Sequence, residues 1–331
     1  MMSDQATPPP QVAMLQMMMG MWVSQIVSAT AQLRIPDLIA AGTTNVDDLA
    51  REANANAGAL QRLLRAAATL GVVAETAPRT FALTPLGETL RSDVRGTLRD
   101  LVIAETAPGH WLPWGRLAES VREGRSLSSE TLGIPVWEYY ANHQEEGLSF
   151  ARGMGNLSAM VSEEVAAVYQ VGDAKTIVDV GGSQGALLRG VLRNAPSARG
   201  ILFDRPEVIA TATADDRIEL IAGDFFTNVP KGADVYLLKS ILHDWPDEKC
   251  VEILKVIHRD AAPNARLVLV EMLLTNAPGP VTFMDLNMLV MLDGRERTAD
   301  EYGAMLRPAG FAVERVVPTP GLFGVIEARR Q

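Results

Sequence analysis

The stretch Thr176-Ile177-Val178-Asp179-Val180-Gly181-Gly182-Ser183-Gln184-Gly185 decides the fold. Its first five residues form an apolar, β-branched run suited to a strand buried on both faces, and the glycines after it turn the chain into a helix over 186–194. Small residues at a strand's C-terminal end let a ligand approach the backbone, and the amides that open the next helix can meet a carboxylate or phosphate. The dinucleotide fingerprint G-x-G-x-x-G is not met, because Ser183 stands where its second glycine belongs, which weighs against a nicotinamide enzyme.

Downstream, apolar runs at 201–203, 218–221, 235–238 and 267–270 repeat the strand signal with helical segments between them. This predicts an α/β fold built on a doubly wound, mainly parallel, Rossmann-like sheet. Two last strands, 311–317 and 323–328, are separated only by Pro318-Thr319-Pro320-Gly321, too short for a parallel crossover. They complete seven strands as a C-terminal antiparallel hairpin.

Upstream, residues 46–92 read as helix, helix, short hairpin, helix, a winged-helix pattern. Leu60, Leu63, Leu64, Ala67 and Leu70 make one apolar stripe and Gly71 a stop. Residues 101–170 read as mainly helical, with Trp111, Trp114, Trp137, Tyr139, Tyr140 and Phe150 along them. The expected division is a winged-helix-like domain over 1–100, then a helical bridge and the α/β domain over 101–331.

Composition narrows the function classes. A chain of 331 residues that is 47% hydrophobic and 21% charged can build its own core, and a single cysteine, Cys250, excludes an internal disulfide and fits a reducing, cytoplasmic setting. The net charge of −10 repels nucleic acid. Residues 1–100, with eight arginines, no lysine and nine acids, give 8 − 9 = −1, so the winged helix offers no basic face and a DNA-binding regulator is disfavoured. No charge appears between Asp4 and Arg34, but Gln16, Gln25 and Gln32 interrupt the run and no basic segment precedes it, so no membrane partner is expected. The methionines of this stretch, Met14, Met17, Met18, Met19 and Met21, suit a subunit interface.

The chemistry collects on one edge of the expected sheet. Asp204, 19 residues after Gly185 and at the end of the next strand, is placed to accept both hydroxyl protons of a ribose. Gly223-Asp224-Phe225-Phe226 offers an acid and a ring suited to an adenine, and Lys239 and Leu242-His243-Asp244-Trp245 follow the fourth strand.

With these residues in place, the chain resembles the S-adenosylmethionine-dependent O-methyltransferases of small phenolic and polyketide molecules, the plant caffeic-acid type and its bacterial relatives, over nearly its whole length. The matching motifs are Val178-Asp179-Val180-Gly181-Gly182, Phe203-Asp204-Arg205-Pro206, Gly223-Asp224-Phe225-Phe226, Leu238-Lys239-Ser240-Ile241-Leu242-His243-Asp244-Trp245 and Gly294-Arg295-Glu296-Arg297-Thr298. The resemblance implies that S-adenosyl-L-methionine is the cofactor, that the N-terminal winged helix is a dimerisation domain, and that no metal is required. It implies His243 as general base, with Glu271 and Glu296 as the acids that flank and orient it. It implies Gly181, Asp204, Asp224, Phe225, Lys239 and Ser158 as cofactor contacts and Met154 as facing the acceptor; Asp244 and Met288 are further expected walls of the acceptor pocket. The sequence departs from the family pattern at Ser183, where a glycine is common, and at Arg205, where a leucine is usual; residues 101–145 match no substrate class. The expected activity is methyl transfer to a hydroxyl of an aromatic or polyketide-like small molecule in a homodimer. The alternative keeps fold and cofactor with non-methylating chemistry: hydroxylation, decarboxylation or a pericyclic reaction.

Overall fold

The computed structural model describes residues 8–331, whose contacts gather into two compact units. One unit ends at Trp111 and also takes in Tyr140–Asn156; the other comprises Leu112–Tyr139 and Leu157–Gln331. The residues expected as a single bridge are thus shared between the two, and the long helix Gln144–Val168 supplies both.

In the first unit, helices Val46–Glu52 and Ala57–Thr69 start where Asn45 and Asn56 cap them, the side chains accepting from the amides of Asp47 and Ala59. Leu60, Leu64 and Ala67 bury the expected stripe, Leu63 and Leu70 lie half-buried beside it, and Gly71 ends the helix at φ +73°. Strands β1 (Val73–Ala77) and β2 (Thr80–Leu83) pair antiparallel as the wing and bring Phe81 onto a core with Ile35, Val46, Leu49 and Leu64. Ahead of them, helix Pro10–Met18 buries nothing, and only Ser28, Thr30 and Ala31 of helix Gly20–Gln32 are buried.

The second unit holds the sheet: β3 (Thr176–Val180), β4 (Arg199–Asp204), β5 (Ile218–Ala222), β6 (Val235–Lys239), β7 (Arg266–Met272), β8 (Phe311–Pro318) and β9 (Phe323–Arg330), in the order β5-β4-β3-β6-β7-β9-β8. β3 to β7 are parallel; β9 runs antiparallel to both β7 and β8, as the short connection required. From β3 the chain winds outward through β4 and β5 on one side, then returns to β6 and β7 on the other. The carboxyl ends of β3 and β6 therefore diverge at a topological switch point, where ligands bind in open α/β sheets. Val178, Val180 and the run Val235 to Leu238 are fully buried, the reason these strands carry unbroken apolar sequence. β8, at the edge, is largely exposed, and its Glu314 and Arg315 pair with Arg329 and Glu327 of β9.

Candidate functional site

The glycine turn after β3 is built for close approach. Gly181 sits at φ +68°, a left-handed conformation that favours glycine, and a Cβ there would also lie 2.5 Å from Cδ1 of Ile241. Ser183 takes the left-handed conformation at φ +53° without being glycine, and its amide donates to Asp204 Oδ2 at 2.8 Å; the amide of Arg205 donates to Oδ1 at 2.7 Å. Asp204 is thereby fixed at the end of β4, and its carbonyl accepts from the amide of Gly223. The Arg205 side chain turns to solvent and pairs with Glu207 at 2.8 Å. The exposed Asp224 accepts from the amide of Phe226, while Phe225 and Phe226 pack edge-on against Trp245. Gly181, Asp204, Asp224 and Phe225 thus stand at the carboxyl ends of neighbouring strands, a backbone cradle, an acid for hydroxyls, and an acid beside a ring face. That donor set fits a nucleoside.

Behind this edge lies a charged interior. Asp179 is 1% exposed; burial lifts its carboxyl to about 7 against the pull of Lys239. Burial likewise lowers the Lys239 ammonium, which Glu271, Asp179 and Asp244 hold up. A surplus of acids over cations at this point suits a ligand carrying positive charge.

His243 follows β6 on the one-turn 3₁₀ segment Leu242–Asp244. Its Nδ1–H donates to Glu296 Oε1 at 2.8 Å, which leaves Nε2 as the nitrogen free to take a proton, 3.4 Å from Asp244 Oδ1. Burial favours the neutral ring, but the Glu296 hydrogen bond and the charges of Asp244, Glu271 and Glu296 outweigh it and hold the imidazole at about 9. Glu271, at the end of β7 and without exposure, plays a different part from Glu296. Its Oε1 accepts from the amides of Leu242 and Ile241 at 3.0 and 3.2 Å, so it braces the loop rather than the ring, and burial raises its carboxyl to about 7. Among the described residues the second oxygens of Glu271 and Glu296 have no hydrogen-bond partner, and one ligand atom from each of His243, Glu271 and Glu296 falls within 4.8 Å of the others.

The remaining expected residues are more dispersed. Asp244 adjoins His243, half-buried, with its carboxyl raised by burial. Met288, on helix Val281–Met291, is 6% exposed, and Ser158 lies half-buried on the helix Gln144–Val168 with its carbonyl accepting from Ser162 Oγ. Met154, on the same helix, belongs to the first unit. Three residues escaped the sequence reading: Asp285, whose Oδ1 accepts from the amide of Glu296 at 2.9 Å; Asn287, which accepts from Trp114 Nε1 at 2.8 Å; and Arg297, fully buried behind the His243 loop. Arg297 was quoted within a motif, and the signal that would have found it is an arginine next to a buried acid.

Residues 15–93 match the family profile described as the O-methyltransferase dimerisation domain, and residues 114–312 that of the O-methyltransferase domain. The chain is 36% identical over 325 residues to phenazine O-methyltransferase PhzM of Lysobacter antibioticus, covering 96% of this chain and 95% of that protein. It is 38% identical to the 3-amino-4-hydroxybenzoate 4-O-methyltransferase of Streptomyces cremeus, covering 93% and 87%. The crystal structure of human N-acetylserotonin methyltransferase in complex with S-adenosylmethionine superposes with a TM-score of 0.91 at 27% identity, over 98% of this chain and 99% of that one.

Proposed function

The chain belongs to the family of S-adenosylmethionine-dependent O-methyltransferases, and from that premise we propose that it methylates a hydroxyl on an aromatic or polyketide-like small molecule, with His243 as general base. The observation that carries this reading is the pairing of Nδ1 with Glu296 Oε1, an acceptor that favours the proton on Nδ1 and so supports Nε2 as the basic nitrogen. A phenol ionises near 10 and an ordinary imidazole near 6.5, a gap of about 3.5 units that the acids around His243 narrow to roughly one. Bound S-adenosyl-L-methionine supplies an electrophilic methyl carbon on a sulfonium. Gly181 approaches it by backbone, Asp204 takes the ribose hydroxyls, Asp224 and Phe225 take the adenine, and Lys239 and Ser158 complete its contacts. Asp244 and Met288 wall the acceptor. His243 accepts the hydroxyl proton as the oxygen bonds the methyl carbon and the carbon–sulfur bond breaks, leaving neutral S-adenosylhomocysteine; Glu296 stabilises the imidazolium, and Glu271 keeps the loop in place. The N-terminal residues 1–100 form the dimerisation module of a cytoplasmic homodimer, and 101–331 the bridge and catalytic domain. The acceptor's aromatic character is supported by the phenazine and hydroxybenzoate named in the two relatives.

The test is calorimetric binding of S-adenosylhomocysteine followed by turnover on a phenol panel with EDTA present. Products gain the mass of one methyl group, and H243A loses about 10²-fold or more in kcat while keeping cofactor affinity. Loss of cofactor affinity in H243A would remove the base assignment, and products without the added methyl would favour the non-methylating alternative.

A further inference from the structure

Among the described residues Arg297 is the largest side chain with no solvent exposure, and all five of its N–H groups are engaged. Nη1 donates to the carbonyls of Leu242 at 3.0 Å and Arg295 at 3.1 Å; Nη2 donates to the carbonyl of Trp245 at 2.8 Å and to Asp247 Oδ1 at 2.7 Å; Nε donates to the same Oδ1 at 2.9 Å. The carbonyls of Leu242, which opens the 3₁₀ segment, and of Trp245, which follows it, bracket His243 and Asp244. The carbonyl of His243 itself accepts from the amide of Arg295 at 2.9 Å, and Cys250 Sγ lies 3.1 Å from the Leu242 carbonyl. Residues 295 and 297 therefore hold the backbone of the loop, while Glu296 between them holds its imidazole.

We infer that Arg297 is a positioning residue for the transfer reaction: its guanidinium fixes the backbone on both sides of His243 so that the ring meets Glu296 and presents Nε2. This rests on His243 being the general base. A buried arginine could serve the fold alone, but nothing in a purely structural role requires its fork to close on the two carbonyls that flank the basic residue. Lysine, with one nitrogen, cannot span both and Asp247 together.

In R297K, kcat falls about 10²-fold while the S-adenosylhomocysteine Kd stays within about twofold, because a loosened loop misplaces the proton acceptor and leaves the glycine turn alone. The pH profile gives the sign. His243 faces Glu296, Asp244 on its own loop, Glu271 on β7 and, beyond them, Lys239 on β6. Weakening the Glu296 contact moves the acidic limb of kcat/KM to lower pH, whereas lysine keeps the positive charge at 297, so a purely electrostatic role would leave the limb in place. In an H243A background, R297K has no further effect on kcat. A kcat for R297K within about threefold of the parent, an undiminished R297K effect in H243A, or a limb left in place or moved upward would each overturn the inference. An H243A enzyme as active as the parent would remove the base reading itself and this inference with it. Should R297K not fold, D247N withdraws the half-exposed charge partner of the same guanidinium. The same signs are expected with a loss of about tenfold, and unchanged kcat would overturn the assignment.

Discussion

His243 is held at about 9 by three acids, and this has two effects on the rate. The base is matched to a phenol, but at pH 7 the ring is mainly protonated. A protonated ring beside a bound phenolate is the same ionisation state as a neutral ring beside a phenol, so the pH profile reports the pair. Rate should therefore climb with pH up to about 9, measured as kcat/KM across a buffer series. In E296Q the amide keeps the shape but loses the charge, so the limb should move to lower pH, with Asp244 and Glu271 still opposing burial, while the plateau falls about 10²-fold. A limb that stays near its parent position would mean that Glu296 does not set the base. At this scale the sequence was informative where chemistry leaves a type-and-spacing signature, as for Asp204 at a strand end and His243 after one. It was silent on Asp285, whose contribution is one hydrogen bond to the amide of Glu296, because a side chain that serves a distant backbone atom leaves no periodic mark.

Among the elements, the 3₁₀ segment Leu242–Asp244 depends on the chain between Met291 and Ala299 coming very close. A Cβ at Gly294 would stand 2.0 Å from the carbonyl oxygen of His243 and 3.0 Å from Cα of Asp244, backbone atoms that cannot rotate away. Gly294→Ala should therefore push the two segments apart, costing about 1–3 kcal/mol in denaturant unfolding and most of the turnover. Unchanged stability in that variant would show that the approach is looser than these distances. The parallel strands were legible because burial on both faces leaves unbroken apolar runs, and the hairpin because four residues cannot make a crossover. How the aromatics of 101–156 distribute was not legible. Trp114 bonds Asn287 in one unit, while Tyr140 and Phe150 stack on each other and on His110 in the other. These helices show similar apolar content, and which core each joins is decided by partners far along the chain.

For the whole molecule, the unsettled surface is the N-terminal one. The stretch Pro10–Gln32 is long and apolar enough by composition to cross a bilayer, with a mean hydropathy of 1.3. Yet the dimerisation profile begins at residue 15, inside it, and the flanking chain from Ile35 onward folds into the wing domain. Met14, Met17, Met21 and Trp22 are each more than half exposed in the single chain, a patch of flexible side chains and one ring that water disfavours and a second copy would cover. A two-fold contact doubles every such residue, so one charge placed there is paid twice in the dimer. The protein should sediment at micromolar concentration as a species of twice 35.7 kDa without detergent. The double variant M17E/W22E should shift the population towards the 35.7 kDa species while its circular dichroism in the far ultraviolet stays that of the parent. A parent that already sediments as a monomer would remove the homodimer, and a requirement for detergent would return the stretch to the membrane.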